Sequence, residues 1–188
     1  TEGFYLFMAS KSGIVKKTDL MEFETVRKNG LIAIVLDDND ELIGVKLTDG
    51  NQQIILGTRD GMAINFSEQD VRSMGRSTRG VKGINLQEMD SIVGMDTMDP
   101  KGQVLVVSEL GFGKRTSVDQ YRMQSRAGKG LINLKVTEKT GAVVGLRVVR
   151  SDQDLLLINN DSIIIRMDVE QIRVIGRNTQ GFALMRTE

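Results

Sequence analysis

The 188-residue chain has no cysteine, no histidine and no tryptophan, and its only proline is Pro100. Without cysteine there is neither a disulfide framework nor a thiol nucleophile, and without histidine the usual general acid or base near neutral pH is absent. The lack of tryptophan and histidine also excludes the Trp-Asp and Gly-His signatures of the propeller repeat of about 40 residues. Most forms of acid–base and nucleophilic catalysis are therefore excluded.

Long apolar runs are missing as well. Hydrophobic residues make up 40% of the chain and charged residues 27%, and no apolar run approaches the roughly 18 residues of a membrane span. The first residues, Thr1 to Phe4, contain neither an initiator methionine nor a basic leader. We expect a piece of a longer soluble protein without a membrane partner, and the absence of cysteine is compatible with a reducing cytoplasm.

What the chain does contain is one pattern repeated four times. Four corresponding turn residues are spaced 48, 50 and 51 residues apart: Gly13, Gly61, Gly111 and Ser162. Ten positions after each of them comes an apolar residue, namely Phe23, Val71, Tyr121 and Ile172. Repeats of this length usually form one supersecondary unit each and share a core with their neighbours. The spacing predicts one repeat domain over 1–188, with units near 4–52, 53–102, 103–152 and 153–188.

Each repeat predicts the same order of short strands. A tight turn at the repeated glycine or serine separates two apolar strands, because a glycine between two apolar runs is a strong hairpin signal. These strand pairs are predicted at 5–9 and 14–18, 53–56 and 62–66, 104–108 and 112–116, and 155–159 and 163–167. A single helical turn follows, with capping residues expected at Asp19, Ser67, Ser117 and Asp168.

A loop rich in glycine and arginine then leads to a third strand and, after a polar turn, to a fourth. The third strand is predicted at 31–36, 84–86, 131–136 and 182–185. The fourth contains Ile43-Gly44, Val93-Gly94 or Val144-Gly145, and the last repeat ends before it. The pattern predicts an all-β, propeller-like array of four-stranded antiparallel blades whose last blade is incomplete. Because an unpaired edge invites a partner, strand exchange between blades or between molecules is an open alternative.

Two motifs invite a catalytic or ligand-binding interpretation that the sequence does not favour. The acidic run Asp37–Glu41 is interpreted as a solvated turn rather than as one half of a carboxylate pair for glycoside hydrolysis. It also lacks the spacing of a calcium loop. The segment Gly111–Lys114 resembles a phosphate-binding loop, but such loops open onto a helix, whereas a strand is predicted here. We interpret it as a hairpin turn.

Formal net charge is zero, with 25 Lys and Arg against 25 Asp and Glu, but the cations recur at fixed points of the repeats. In the glycine-rich loops they are Arg27, Lys28, Arg76, Arg79, Lys82, Arg126, Lys129 and Arg177, and in the second strands they are Lys16, Lys17, Lys114, Arg115 and Arg166. Two such tracks along a curved edge predict contacts to the phosphates of a polyanion. The low aromatic content favours duplex DNA over single strands, which bind by stacking. A protein-interaction scaffold whose basic loops only keep the rim soluble is the alternative.

The loop Gln124–Gly130 resembles a motif of a known family. It matches five of the seven positions of Gln-Arg-Arg-Gly-Gly-Lys-Gly, which marks the C-terminal domain of the A subunit of DNA gyrase, with Ser125 and Ala127 replacing the second and fourth residues. Five other segments, at 13–18, 41–45, 111–116, 134–138 and 174–181, are similar to later repeats of that domain. They occur in the same order along the chain as in that domain. The resemblance covers essentially the whole chain, and the four repeats resemble the third to sixth of six blades.

This resemblance implies a β-pinwheel whose blades exchange strands and whose basic perimeter wraps duplex DNA. In the bacterial holoenzyme the wrap supports ATP-dependent negative supercoiling of the chromosome, together with the other domains of the same polypeptide and with the B subunit. The catalytic tyrosine and the sites for ATP and Mg²⁺ lie outside such a domain, so no catalytic residue, cofactor or metal is expected in this chain. The equivalent domain of the A subunit of topoisomerase IV is the nearest alternative.

Overall fold

The computed structural model describes residues 1–25 and 27–187, and the same order of strands recurs along them. The first two repeats contain β1 Tyr5–Ser10, β2 Ile14–Asp19, β3 Leu42–Thr48, β4 Gln53–Thr58, β5 Met62–Ser67, β6 Val81–Lys82 and β7 Ile92–Thr97. The last two contain β8 Gln103–Ser108, β9 Phe112–Ser117, β10 Leu131–Ile132, β11 Val143–Val149, β12 Asp154–Ile158, β13 Ile164–Asp168 and β14 Phe182–Ala183. Within the described residues, no helix is both long enough and apolar enough to span a membrane.

The hairpins and the short helical turns lie where the sequence predicts them. The backbone is in the left-handed region at Gly13, Gly61 and Gly111, with φ of +89°, +88° and +81°, and Ser162 has φ of +63°. One short 3₁₀ helix follows each second strand, at Leu20–Phe23, Glu68–Asp70, Val118–Gln120 and Val169–Gln171. Asp19 and Ser67 accept hydrogen bonds from the amides of Met21 and Gln69 at 2.9 and 3.2 Å. The prediction of repeated hairpins followed by a short helical turn is confirmed, but the predicted capping role is confirmed only for Asp19 and Ser67, since the side chains of Ser117 and Asp168 make no capping hydrogen bond.

Across the described residues, the strands form three four-stranded antiparallel sheets and one two-stranded sheet. Their orders are β3-β1-β2-β6, β10-β5-β4-β7, β11-β8-β9-β14 and β12-β13. The predicted fourth strands are present as β3, β7 and β11, and these three lie beside one another at the inner ends of the blades. The fourth repeat has no such strand in the described residues, so β12 has a free edge there. The all-β blade architecture with an incomplete last blade is confirmed.

In the last three repeats the third strand differs from its prediction in length and in partner, and in the second repeat it also differs in position, since it lies at 81–82 and the predicted residues 84–86 form no strand. It has only two residues, and it pairs with the second strand of the preceding repeat: β6 with β2, β10 with β5, and β14 with β9. The strand predicted at 31–36 is wrong, since those residues form none. In the other repeats the partner is a second strand one repeat earlier, and the described residues contain no such strand ahead of β1. Strand exchange between blades is therefore observed.

The core lies between successive blades rather than within each one. Phe7 of the first repeat and Phe66 of the second belong to one buried cluster, with ring centroids 6.3 Å apart. A second cluster joins the second and third repeats, and a third cluster joins the third and fourth. At the free side of the last blade, in contrast, Leu156 and Ile164 are 60% and 62% exposed. Each blade thus depends on its neighbour for burial, as the repeat pattern predicts.

Replacing Gly61 with alanine is expected to lower the free energy of unfolding by about 2–4 kcal/mol. The new Cβ would occupy a left-handed conformation and would overlap the carbonyl oxygen of Leu134, which the next repeat places against this turn. Ser162→Ala is the matched control, because that turn already holds a side chain at positive φ, and we expect a change within about 0.5 kcal/mol. Urea unfolding followed by circular dichroism measures both, and equal losses would contradict the prediction.

Candidate nucleic-acid interface

The glycine-rich loops lie along the outer edges of the blades. Each loop crosses to the preceding blade, where it first runs parallel to the second strand at Ser73, Met123 or Val174 and then supplies the two-residue outer strand. Since β3, β7 and β11 occupy the inner ends, these loops form the perimeter of the array. We call the segments 72–82, 122–132 and 173–183 the outer-edge segments; they cover the first, second and third blades in turn.

Most of the loop cations predicted to bind phosphates are at the surface. Arg79, Lys82 and Lys129 are exposed on outer-edge segments. Arg27 and Lys28 are exposed in the loop of the first repeat, which has no preceding blade among the described residues. Exposed lysine and arginine side chains on a common edge are able to reach phosphates without desolvating a core. The loop track of the sequence analysis therefore has the accessibility that the hypothesis requires.

Three arginines of this track have a second role in joining the blades. Arg76, Arg126 and Arg177 are half-buried, and their Nη1 atoms donate to the carbonyls of Ile32, Lys82 and Ile132 at 3.0, 3.0 and 2.7 Å. The three acceptors occupy the same position in successive repeats, two residues after the loop glycine. Part of each guanidinium is thus committed to the contact between one repeat and the next.

Among the described residues, two of the predicted cations that face solvent are paired with carboxylates. Arg79 Nη1 lies 2.7 Å from Asp37 Oδ1, and both side chains are well exposed, so solvent and salt weaken this pair. Arg166 Nε donates to Asp154 Oδ2 at 2.9 Å. Arg166 lies on β13 of the incomplete blade, away from the outer-edge segments. Arg166 is therefore separate from the common edge that the loop cations form.

The second track, predicted along the second strands, is wrong for four of its five residues. The exposed fractions of Lys16, Lys17, Lys114 and Arg115 are 0%, 6%, 0% and 6%, so these side chains do not face solvent. Each binds groups of the neighbouring repeat instead: Lys17 donates to Glu68 O at 3.1 Å, and Arg115 Nε donates to Ile172 O at 2.7 Å. A long side chain on the middle strand of a blade is covered by the exchanged segment that packs over it, so these cations hold the array together.

Sequence reasoning missed a further set of cations on the outer edge. Arg72, Arg122 and Arg173 are exposed, 50 and 51 residues apart, at the start of the three outer-edge segments. The guanidinium of Arg173 lies over the ring of Phe182 at 4.9 Å, which orients it on the outer strand. The sequence does contain a pattern that identifies these arginines. Each one directly follows the apolar residue that lies ten positions after the repeated turn residue: Val71, Tyr121 and Ile172.

The acidic run is a turn, as interpreted from the sequence. Asp40 accepts hydrogen bonds from the Ser12 amide at 3.0 Å and from the Glu41 amide at 2.8 Å, which ties the turn to the adjacent hairpin. The segment at Gly111 is likewise a hairpin turn, since β9 follows it directly. Across 1–25 and 27–187, no group of three or more Asp or Glu side chains is arranged to hold a metal ion.

Comparison with known proteins gives a family match over nearly the whole chain. The family model described as DNA gyrase C-terminal domain, beta-propeller, matches residues 5–49, 52–97, 102–150 and 153–188. The chain is 54% identical to the DNA gyrase A subunit of Clostridium acetobutylicum over 185 residues, 98% of the chain and 22% of that protein. It is 44% identical to the DNA gyrase A subunit of Escherichia coli over 186 residues, 99% of the chain and 21% of that protein. The chain therefore spans about a fifth of these relatives.

Solved structures share the architecture. A DNA gyrase A C-terminal domain superposes with a TM-score of 0.91 at 28% identity, covering 100% of this chain and 63% of that one. The C-terminal domain of a DNA topoisomerase IV superposes with a TM-score of 0.93, also at 28% identity, covering 98% and 58%. The two shapes are nearly equally similar, so sequence rather than shape favours gyrase over topoisomerase IV.

Proposed function

The chain belongs to the DNA gyrase C-terminal domain, beta-propeller family, and from that premise we propose that it binds duplex DNA and bends it around the outer edges of its blades. The binding is made through phosphates and is tolerant of sequence. The chain itself supplies no catalytic group in this proposal. Its role is to hold a curved duplex for the rest of a topoisomerase.

The observation that carries the proposal is the recurrence of exposed cations on three successive outer-edge segments. They are Arg72, Arg79 and Lys82 on the first blade, Arg122 and Lys129 on the second, and Arg173 on the third. Since equivalent residues of successive blades are related by the rotation of the array, a duplex that meets one set meets the next as it curves. Phosphate contacts of this kind position a duplex without selecting its sequence.

Bending requires several blades to act together. Smooth bending of 20–30 base pairs costs on the order of 1–6 kcal/mol, which a single exposed cation does not offset. Contacts from three blades spread along one duplex are able to offset it, because each neutralised phosphate releases counterions. A rigid array is needed as well, and the exchanged strands and the arginine contacts to Ile32, Lys82 and Ile132 join the blades that carry these cations.

In the longer protein, we propose that the curved duplex is presented to the other domains of the gyrase A polypeptide and to its partner, the gyrase B polypeptide. The wrap would support ATP-dependent negative supercoiling, with ATP and Mg²⁺ bound outside this chain. The support for this role is the identity of the relatives, which are DNA gyrase A proteins about five times as long as the chain. A bacterial cytoplasm, in association with the chromosome, is the compartment that this role requires.

Salt dependence tests the proposal directly. With about six exposed cations on the outer edges contacting phosphates, the logarithm of the binding constant for a duplex of ~40 base pairs should fall with the logarithm of salt concentration with a slope of about −5. Affinity should then drop about 10³-fold between roughly 50 and 200 mM KCl in fluorescence anisotropy. A slope near zero, or no binding at low salt, would leave the protein-interaction scaffold as the better function.

A further inference from the structure

Two lysines that the sequence assigns to the DNA surface instead lie beneath it. Lys114 is fully buried on β9, and its Nζ donates to Gly176 O at 2.9 Å, to Thr179 O and Thr179 Oγ1 at 3.0 Å, and to Arg177 O. All of these acceptors belong to one outer-edge segment, the one that carries Arg173 and Arg177. A single ammonium group therefore binds several main-chain carbonyls of one tight loop in the following repeat.

The first blade repeats this arrangement. Lys16 is fully buried on β2, and its Nζ donates to Arg76 O at 2.6 Å and to Ala33 O at 2.7 Å. Arg76 and Arg177 are equivalent residues, so the two ammonium groups bind the same carbonyl in different repeats. Each buried lysine thus holds the main chain of an arginine whose side chain joins two blades at the perimeter.

The second blade lacks the lysine and has a different loop. Ile64 occupies the position equivalent to Lys16 and Lys114, and it is buried as they are. The loops over the two lysines read Gly-Arg-Ser-Thr-Arg-Gly at 75–80 and Gly-Arg-Asn-Thr-Gln-Gly at 176–181, whereas the loop over Ile64 reads Ser-Arg-Ala-Gly-Lys-Gly at 125–130. This third loop turns at Ala127, with φ of +67°, and the Ala127 amide donates to Gly83 O at 2.8 Å. Loop type and strand residue therefore change together.

Stability alone does not explain the lysines. Burial, with a smaller contribution from the charge of Arg177, lowers the pKa of Lys114 to about 8. Burial also lowers the pKa of Lys16. The charge of Glu22 acts in the opposite direction and raises this pKa, whereas the charge of Arg76 lowers it further. A lowered pKa means that the folded surroundings disfavour the charged form. Isoleucine fills the same space in the second blade, so a buried ammonium in the other two calls for a reason outside packing.

We propose that Lys16 and Lys114 are positioning residues, each of which fixes an outer-edge loop of the Gly-Arg-Ser/Asn-Thr type in the conformation that presents its cations to the duplex. The inference deepens the function proposed above, but the loop conformation is a property of the protein alone and is measurable without DNA. In the second blade, where Ile64 replaces the lysine, main-chain hydrogen bonds fix the loop conformation in place of an ammonium group.

Hydrogen exchange of single amides reports on the loop. The Lys135 amide donates to Thr179 O at 3.0 Å, on the same carbonyl that Lys114 binds, and the Asn85 amide donates to Gly128 O at 2.8 Å at the equivalent point over Ile64. In Lys114→Ile, the Lys135 amide should exchange at least tenfold faster, while the Asn85 amide keeps its rate. Affinity for a duplex should fall about threefold to tenfold, with the urea midpoint unchanged or higher.

A loop exchange distinguishes positioning from a merely structural role. Adding Gly176→Ser, Asn178→Ala, Thr179→Gly and Gln180→Lys to Lys114→Ile gives the fourth repeat the loop that suits isoleucine. Slow exchange at Lys135 should return. The same four loop changes made with Lys114 intact remove the Thr179 hydroxyl that the ammonium binds, so the Lys135 amide should exchange faster than in the wild type. Exchange at Lys135 that stays fast in the variant combining Lys114→Ile with the four loop changes would overturn the proposal.

The remaining outcomes are also decisive. Unchanged exchange at Lys135 in folded Lys114→Ile, or an affinity loss matched by a lower urea midpoint, overturns the proposal. Lys16→Ile repeats the test on the first blade. The measured quantity there is the exchange rate of the Val35 amide, which donates to Thr78 O at 3.0 Å. Failure of both single variants to fold would make the lysines stability residues and would also overturn it. Faster exchange at Lys135 in a protein whose wild type binds no DNA would support the loop role and contradict the proposed function.

Discussion

Replacing Arg72, Lys82, Arg122 and Lys129 together with glutamine is expected to lower the affinity for duplex DNA by about 10²–10³-fold at ~100 mM salt. All four side chains are exposed on the outer-edge segments of the first two blades. Each is expected to neutralise about one phosphate, so the slope of log affinity against log salt should become shallower by about 3 to 4. Fluorescence anisotropy at several salt concentrations measures both quantities.

A charge-matched variant provides the control for this prediction. Lys11, Arg59, Lys101 and Lys139 are also exposed, but they lie in turns rather than on outer-edge segments. Their replacement by glutamine removes the same net charge and should change affinity less than about threefold, because distant exposed charges are largely screened. Similar losses in the two variants would show that net charge, rather than the perimeter, attracts DNA.

Glu68→Ala is expected to lower the free energy of unfolding by about 3–5 kcal/mol, the largest loss from a single replacement that we expect. Glu68 is fully buried, and its carboxylate accepts hydrogen bonds from Thr48 Oγ1 and from the Gln52 amide, both at 2.9 Å. Its Oε1 also lies 3.9 Å from Lys17 Nζ. The replacement would leave two donors unpaired and a buried ammonium without its counter-charge.

Val118→Ala separates the electrostatic part of that loss from simple truncation. Val118 occupies the position of Glu68 in the third repeat and is only half-buried, so its truncation should cost about 1 kcal/mol. Urea unfolding monitored by circular dichroism compares the two variants. Losses of similar size would contradict the view that the buried carboxylate of Glu68 organises the junction between the first two blades.

The differences between the predicted and the observed positions have a common origin in the exchange of strands. Leu31–Leu36 has the composition of a strand, but an outer strand forms only against the second strand of a preceding repeat. The sequence predicts that Lys114 is an exposed cation next to a turn, but the segment 173–183 covers its side chain. The carbonyls that Lys114 binds lie 62–65 residues away in the chain, and patterns read within one repeat carry no information about contacts at that distance.

Local sequence was enough to predict the number of repeats, the hairpins, the short helical turns with the caps at Asp19 and Ser67, the acidic turn and the family resemblance. These follow from local chemistry: positive φ at a turn favours glycine, a short polar side chain caps a helical turn, and alternating apolar runs form strands. Long-range packing of the repeats sets which cations face outward, which cations are buried, and which repeat completes each blade. Lysine and arginine have stems long enough to lie in a core or at a surface, and the choice depends on what packs over them.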